Sequence, residues 1–155
     1  MHKVIVSAVL AASLIAMGAC ITCPAGIDKP TCSVQQAEAI AGLVDVAAGT
    51  LVAGFPSPVL LAAYATFHAA LPLAIKALDA ALASYEAGST GAWSILLAGL
   101  QNLYESFDAL YQNITGNKSL VTAATATVKA QGASQVLHML KSEQGKSELM
   151  KAMLK

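Results

Sequence analysis

Between residues 60 and 85 the large apolar side chains recur every three or four positions, as Leu60, Tyr64, Phe67, Leu71, Ile75, Leu78, Leu82 and Tyr85. A single stripe sustained over about seven turns has the period of an α-helix and not of a strand. The segment Gly88-Ser89-Thr90-Gly91 interrupts it, and Trp93, Leu96, Leu100, Leu103, Phe107, Leu110 and Ile114 then repeat the same spacing. Two long stripes joined by a glycine-bounded turn pair antiparallel, so the sequence predicts a helical hairpin. Of the 155 residues 32 are Ala and 20 are Leu, and aromatics make up only 5%. That apolar mass favours helices packed closely over small side chains.

The flanks extend this plan. Ser33-Val34-Gln35-Gln36 has the form of a capping box, with Ser33 as cap and Gln36 reaching back. It predicts a first helix from residue 33 to about Ala53, stopped by Gly54-Phe55-Pro56. Ser57 followed by Pro58 restarts the chain with a cap and a proline at the first helical position, and Pro72 is expected to kink the second helix. The first helix is poor in large residues but rich in Ala, Val and Gly. It can therefore lie close against the hairpin and complete a three-helix bundle over 33–116, closed by Gly116. Residues 117–132 read as a linker or weak helix. Residues 133–155 read as a basic amphipathic helix, interrupted by the polar stretch from Lys141 to Glu148. The expected fold class is all-α: an N-terminal signal or anchor over 1–19, a tether over 20–32, the bundle, and the C-terminal helix.

Charge narrows the function. The chain has a formal net charge of zero and all nine basic residues are Lys. Without arginine there is no bidentate donor for phosphate or guanine, which argues against a nucleic-acid binder. Only 12% of residues are charged and the mean hydropathy is +0.62, which suggests a membrane connection. Residues 33–111 carry one Lys against six acids, whereas residues 112–155 carry six Lys against two. Lys141, Lys146, Lys151 and Lys155 lie among apolar residues of the tail and are candidates for contact with an anionic membrane or a partner helix. The competing reading is a solvated helix whose apolar edge packs on the bundle.

The N-terminus reads as an address. His2 and Lys3 precede an uncharged stretch from Val4 to Met17 and the small pair Gly18-Ala19, the layout of a bacterial export signal. Cys20 follows, completing Leu14-Ile15-Ala16-Met17-Gly18-Ala19-Cys20. This run resembles the lipobox of bacterial lipoproteins and departs from it at Met17, where Leu is usual. The resemblance covers about 20 residues. It implies that Cys20 is acylated, that residues 1–19 are removed, and that the protein is held by lipid in the cell envelope. Ile21 after the cysteine does not resemble an inner-membrane retention signal, so the implied destination is the outer membrane, facing the periplasm. An uncleaved helix spanning Val4 to Thr22 stays open as a second reading, and a conventional signal cleavage as a third. With Cys20 acylated, Cys23 and Cys32 remain as a pair that an oxidising periplasm would join. The spacing of Cys20 and Cys23 also fits a redox motif but lacks its strand-helix context, and three cysteines with no nearby histidine do not complete a zinc site.

Candidate catalytic groups are sparse. His68 sits beside Phe67, where a hydrogen-bonded core or boundary histidine is expected, and His138 lies in the tail, where exposure is expected. Glu105 and Asp108 are expected to face water, and Asp45 to face out of the bundle. No common catalytic, nucleotide or metal motif occurs, and no cofactor is expected. The sequence thus leads to a non-enzymatic, membrane-tethered helical protein that binds or scaffolds an envelope partner, similar to short Ala-rich lipoproteins of bacteria and their phages. The alternative is a holin-like or pore-forming protein of several spans, because Pro58 to Ile75 contains no formal charge.

Overall fold

The structure, a computed structural model, describes residues 25–54, 56–113 and 126–153. Five helices are delimited: α1 (Lys29–Gly54), α2 (Pro58–Glu86), α3 (Ala92–Asn113), α4 (Ala133–Leu140) and α5 (Glu143–Met153). Residues 126–131 form a further short helical segment, and no strand occurs among the described residues. The chain is all-α. Cys20, Cys23, Gly116, Lys155 and the expected signal over 1–19 fall outside the described residues.

The first helix starts earlier than the capping box indicated. Asp28, not Ser33, is its cap: the Asp28 carboxylate accepts the backbone N–H of Thr31 at 3.3 Å and the Thr31 hydroxyl at 2.6 Å. The Asp28 carbonyl takes the N–H of Cys32 at 3.0 Å. Pro30 sits in the first turn, where a missing N–H costs nothing. Residues 29–32 of the expected tether are therefore helical, and Ser33 lies inside α1. These bonds also hold the Asp28 carboxyl below its usual value.

The second start follows the sequence reading. Ser57 is extended and Pro58 opens α2; the Ser57 carbonyl, rather than its hydroxyl, receives the N–H of Leu61 at 2.8 Å. The helix continues through Pro72 to Glu86. In the turn to α3 both Gly88 (φ 72°) and Gly91 (φ 81°) adopt the left-handed conformation that other residues avoid. The polar stretch after Lys141 does not interrupt one long helix but divides the tail into two. Ser142 donates from its hydroxyl to the Met139 carbonyl at 3.2 Å and accepts the Gly145 N–H at 3.0 Å, closing α4 and capping α5 together.

Packing centres on α1 and not on the hairpin. α2 and α3 form the most extensive helix pair, yet α1 touches α2, α3, α4 and α5. Val34, Ala37, Ala39, Ile40, Ala41, Leu43, Val44 and Ala48 of α1 all enter the core, joined by Phe67, Leu71 and Leu78 from α2 and Leu96, Leu100, Leu103 and Leu110 from α3. A helix buried on several faces needs small side chains where neighbours approach. A Cβ on Gly42 would meet Leu140, and one on Gly49 would meet the Tyr64 hydroxyl. α1 and α2 run antiparallel, with Thr31 opposite Glu86, Asp45 opposite His68 and Gly49 opposite Tyr64. α4 runs alongside α1 in the same direction, with Ser134 opposite Gln35 and Leu140 opposite Gly42.

Candidate functional site

The α1–α2 seam carries a row of polar groups in an otherwise apolar contact. Residues 38 and 45 are seven apart, so the helical period places Glu38 and Asp45 on one face of α1. Opposite them α2 presents Tyr64, His68 and Asp79. Asp45 Oδ1 lies 2.7 Å from His68 Nδ1, which donates to it. The side chain of Asp45 is 18% exposed and that of His68 60%. Asp45 thus lies at the seam instead of facing out of the bundle, and its carboxylate is satisfied by the neighbouring helix. The Tyr64 hydroxyl also bonds to Asp45 and lies 3.5 Å from His68 Nδ1, while its ring stacks on the imidazole with centroids 5.4 Å apart. Burial first, and then the Asp45 charge and hydrogen bond, hold the Tyr64 phenol above its ordinary value.

Two turns toward the start of α1, burial pushes the Glu38 carboxyl up to about 7. Asp79, bonded to it across the seam, raises it further by repelling its charged form, and Lys141 opposes the shift. Glu38 Oε1 is buried without a hydrogen-bond partner.

A shallow cavity of about 370 Å³ opens over this seam, bounded by Asp45, His68, Leu71, Ile75, Lys76 and Asp79. A larger one of about 540 Å³ lies between α2 and α3, against Phe67, Asn102, Glu105 and Leu110. An aspartate that fixes an imidazole by Nδ1 leaves Nε2 as the free nitrogen, the orientation used in acid–base catalysis. The groups that meet His68 are the Asp45 carboxylate and the Tyr64 phenol. Chemically the row is suited to joining two helices in a proton-dependent way. No group of three or more metal-ligating side chains occurs among the described residues.

Of the residues singled out from the sequence, Asp45 and His68 meet at this seam and Lys141 faces it, whereas Cys32, Lys146, Lys151 and Glu105 lie elsewhere. Cys32 is 2% exposed, is disulfide-bonded, and receives a hydrogen bond from Gln36 Nε2 at 3.3 Å. Of the basic tail, Lys146 pairs with Glu143 at 2.8 Å and Lys151 with Glu148 at 2.9 Å, each within α5. Lys141 is exposed at the α4–α5 junction and faces the Glu38 charge. Glu105 is exposed, as expected, and accepts a bond from Gln101 at 3.1 Å. His138 is exposed too.

The signal that periodicity misread is at the hairpin tip. Tyr85 and Trp93 belong to the apolar stripes, yet they are 38% and 49% exposed and touch each other with ring centroids 5.8 Å apart. The tight turn puts Ala92 in the inward position, in line with Leu96 and Leu100, so Trp93 is rotated out. Ile95 and Leu97 are exposed beside it, as are Val59, Leu61 and Leu73 on α2. No known protein family matches the sequence, and neither a curated protein nor a solved structure is significantly similar to it.

Proposed function

We propose that this chain is a membrane-tethered, non-enzymatic helical protein of the bacterial cell envelope that presents a helical surface for binding or scaffolding. In this reading residues 1–19 are a signal, Cys20 carries lipid, Cys32 is paired with Cys23, and α1 with the α2–α3 hairpin is a three-helix bundle backed by an amphipathic C-terminal segment. The observation that carries the binding role is the hairpin's outer surface, where Val59, Leu61, Leu73, Trp93, Ile95 and Leu97 are all at least 40% exposed. An apolar patch such as that at the hairpin tip, where Trp93 meets Tyr85, is normally a contact site. The N-terminal sequence supplies the tether, because acyl chains contribute about 0.8 kcal/mol per buried CH₂ and several together anchor stably.

Palmitate labelling in expressing bacteria tests it. Label that vanishes in Cys20→Ser, with precursor accumulating when lipoprotein signal peptidase is inhibited, is the expected result. An unlabelled protein with an intact N-terminus in the membrane fraction overturns it.

One observation favours a second reading, the holin-like protein of several spans. α2 is 29 residues long with a hydropathy of 1.6 over its most apolar window, and only 11% of that window is buried. A helix of that length and composition can cross a bilayer. Under this reading, Leu73 would be in lipid.

A further inference from the structure

The hairpin tip and the start of α1 lie at the same end of the molecule. The Thr31 hydroxyl, three residues into the chain after Asp28, is 3.5 Å from Glu86 Oε1, the last residue of α2. The exposed Tyr85–Trp93 pair, and Ile95 and Leu97 on either side of the inward line of α3 in its first two turns, therefore lie at the end where the chain enters the bundle. Eight peptide steps separate Cys20 from Asp28. Fully extended they reach roughly 28 Å, whereas α1 alone, with 26 residues, is about 39 Å long. A lipid on Cys20 thus keeps this end near the bilayer and leaves the far end, with Val59 and Leu61, out of reach in an upright bundle. Tryptophan and tyrosine are the side chains that settle at the boundary between headgroups and acyl chains, because each joins an apolar ring to one polar atom.

We propose that the hairpin tip, formed by Tyr85, Trp93, Ile95 and Leu97, is a second membrane contact that docks into the bilayer interface beside the lipid anchor. This rests on the tethered reading above. The charged groups flanking the tip, Asp28, Lys29 and Glu86, sum to −1, so the contact is apolar in origin. It needs no anionic lipid and persists in high salt. A contact through the basic tail would show the opposite dependence.

Trp93 is the chain's one tryptophan and reports on the tip directly. The lipidated protein, purified from expressing bacteria, is placed on phosphatidylcholine vesicles. The expected result is a blue-shifted Trp93 emission, quenching by lipids brominated near the headgroup, and a severalfold loss of acrylamide access, unchanged by salt. Ile95→Ser with Leu97→Ser should restore acrylamide access while leaving helicity intact, and Val59→Ser with Leu61→Ser should not.

Trp93 equally open to acrylamide on and off the vesicle overturns the proposal, as does shielding that is complete without lipid, which would mark a second copy as the occupant. The tether itself fails separately, by absence of palmitate on Cys20. In a Trp93→Phe background, Leu73→Trp separates the spanning alternative. Its tryptophan stays in water if the body is tethered, which supports the docked tip, and sits deep in the bilayer if α2 spans, which overturns it.

Discussion

α1 and α2 are nearly equal in hydropathy and differ in what they become. Their most apolar windows have hydropathies of 1.5 and 1.6, yet 53% of the first is buried and 11% of the second. α1 has neighbours around most of its circumference, with α2, α3, α4 and α5 all in contact. α2 packs mainly along one edge, through Phe67, Leu71, Leu78 and Ala81, and turns Leu61 and Leu73 to the outside. The contrast teaches that apolar content describes what a helix can tolerate, while the number of helices around it determines what it buries. An apolar helix left open on one side is then the natural place to look for a contact.

The largest test of that contrast is a leucine truncation in each helix. Leu43→Ala in α1, at 0% exposure, should cost about 3 kcal/mol in chemical denaturation. Leu73→Ala in α2, at 71% exposure, should change stability by less than about 0.5 kcal/mol. Equal losses would mean that α2 is covered in the folded protein. Next comes the close approach between the two helices. Gly49→Ala places a methyl against the Tyr64 hydroxyl and should cost about 1–2 kcal/mol, with a change in the tyrosine absorption as the ring is displaced from Asp45.

A smaller effect concerns pH. Because Glu38 is raised from 4.5 to about 7 in the folded chain, the native state binds more protons than the unfolded state between those values. Stability should therefore fall as pH rises from about 4.5 to about 7, and level off above. Glu38→Gln should flatten this slope and stabilise the protein at pH 8 by about 1 kcal/mol, a figure reduced for the group's partial exposure. A slope that survives in Glu38→Gln assigns it to another group. The smallest expected effect is at the ion pair. With His68 60% exposed, a double-mutant cycle of Asp45→Asn and His68→Ala should give a coupling of about 0.5 kcal/mol. A coupling of several times that size would show the seam to be much drier than its surface position suggests.

Much of the helical layout was legible because it depends on local rules. Ser57-Pro58 marked the start of α2, and Gly88 with Gly91 marked the hairpin turn, since a proline's fixed φ and a glycine's positive φ act within a few residues. The stripe from Phe67 to Leu78 correctly identified an inward face. Local rules also explain the miss at Ser33: Asp28, five residues earlier, caps the helix because Thr31 supplies both a backbone and a side-chain donor. At Trp93 the stripe failed by one position, because the inward register of α3 is set by how the turn closes and not by the largest residue nearby. The pairing of Asp45 with His68 was not legible either. Their partnership across 23 residues depends on α1 and α2 lying antiparallel in one register.

Sequence alone thus determined that this chain is helical and where its hairpin turns. Those properties follow from residue-level preferences and from the 3.6-residue period, which act along the chain. Tertiary structure alone decided that α1 is the centre, that the Glu38, Asp45, His68 and Asp79 side chains share a seam, and that the aromatic tip stands beside the start of α1. These depend on which helices meet and in which register, and that choice is made by packing small residues such as Gly42 and Gly49 against Leu140 and Tyr64.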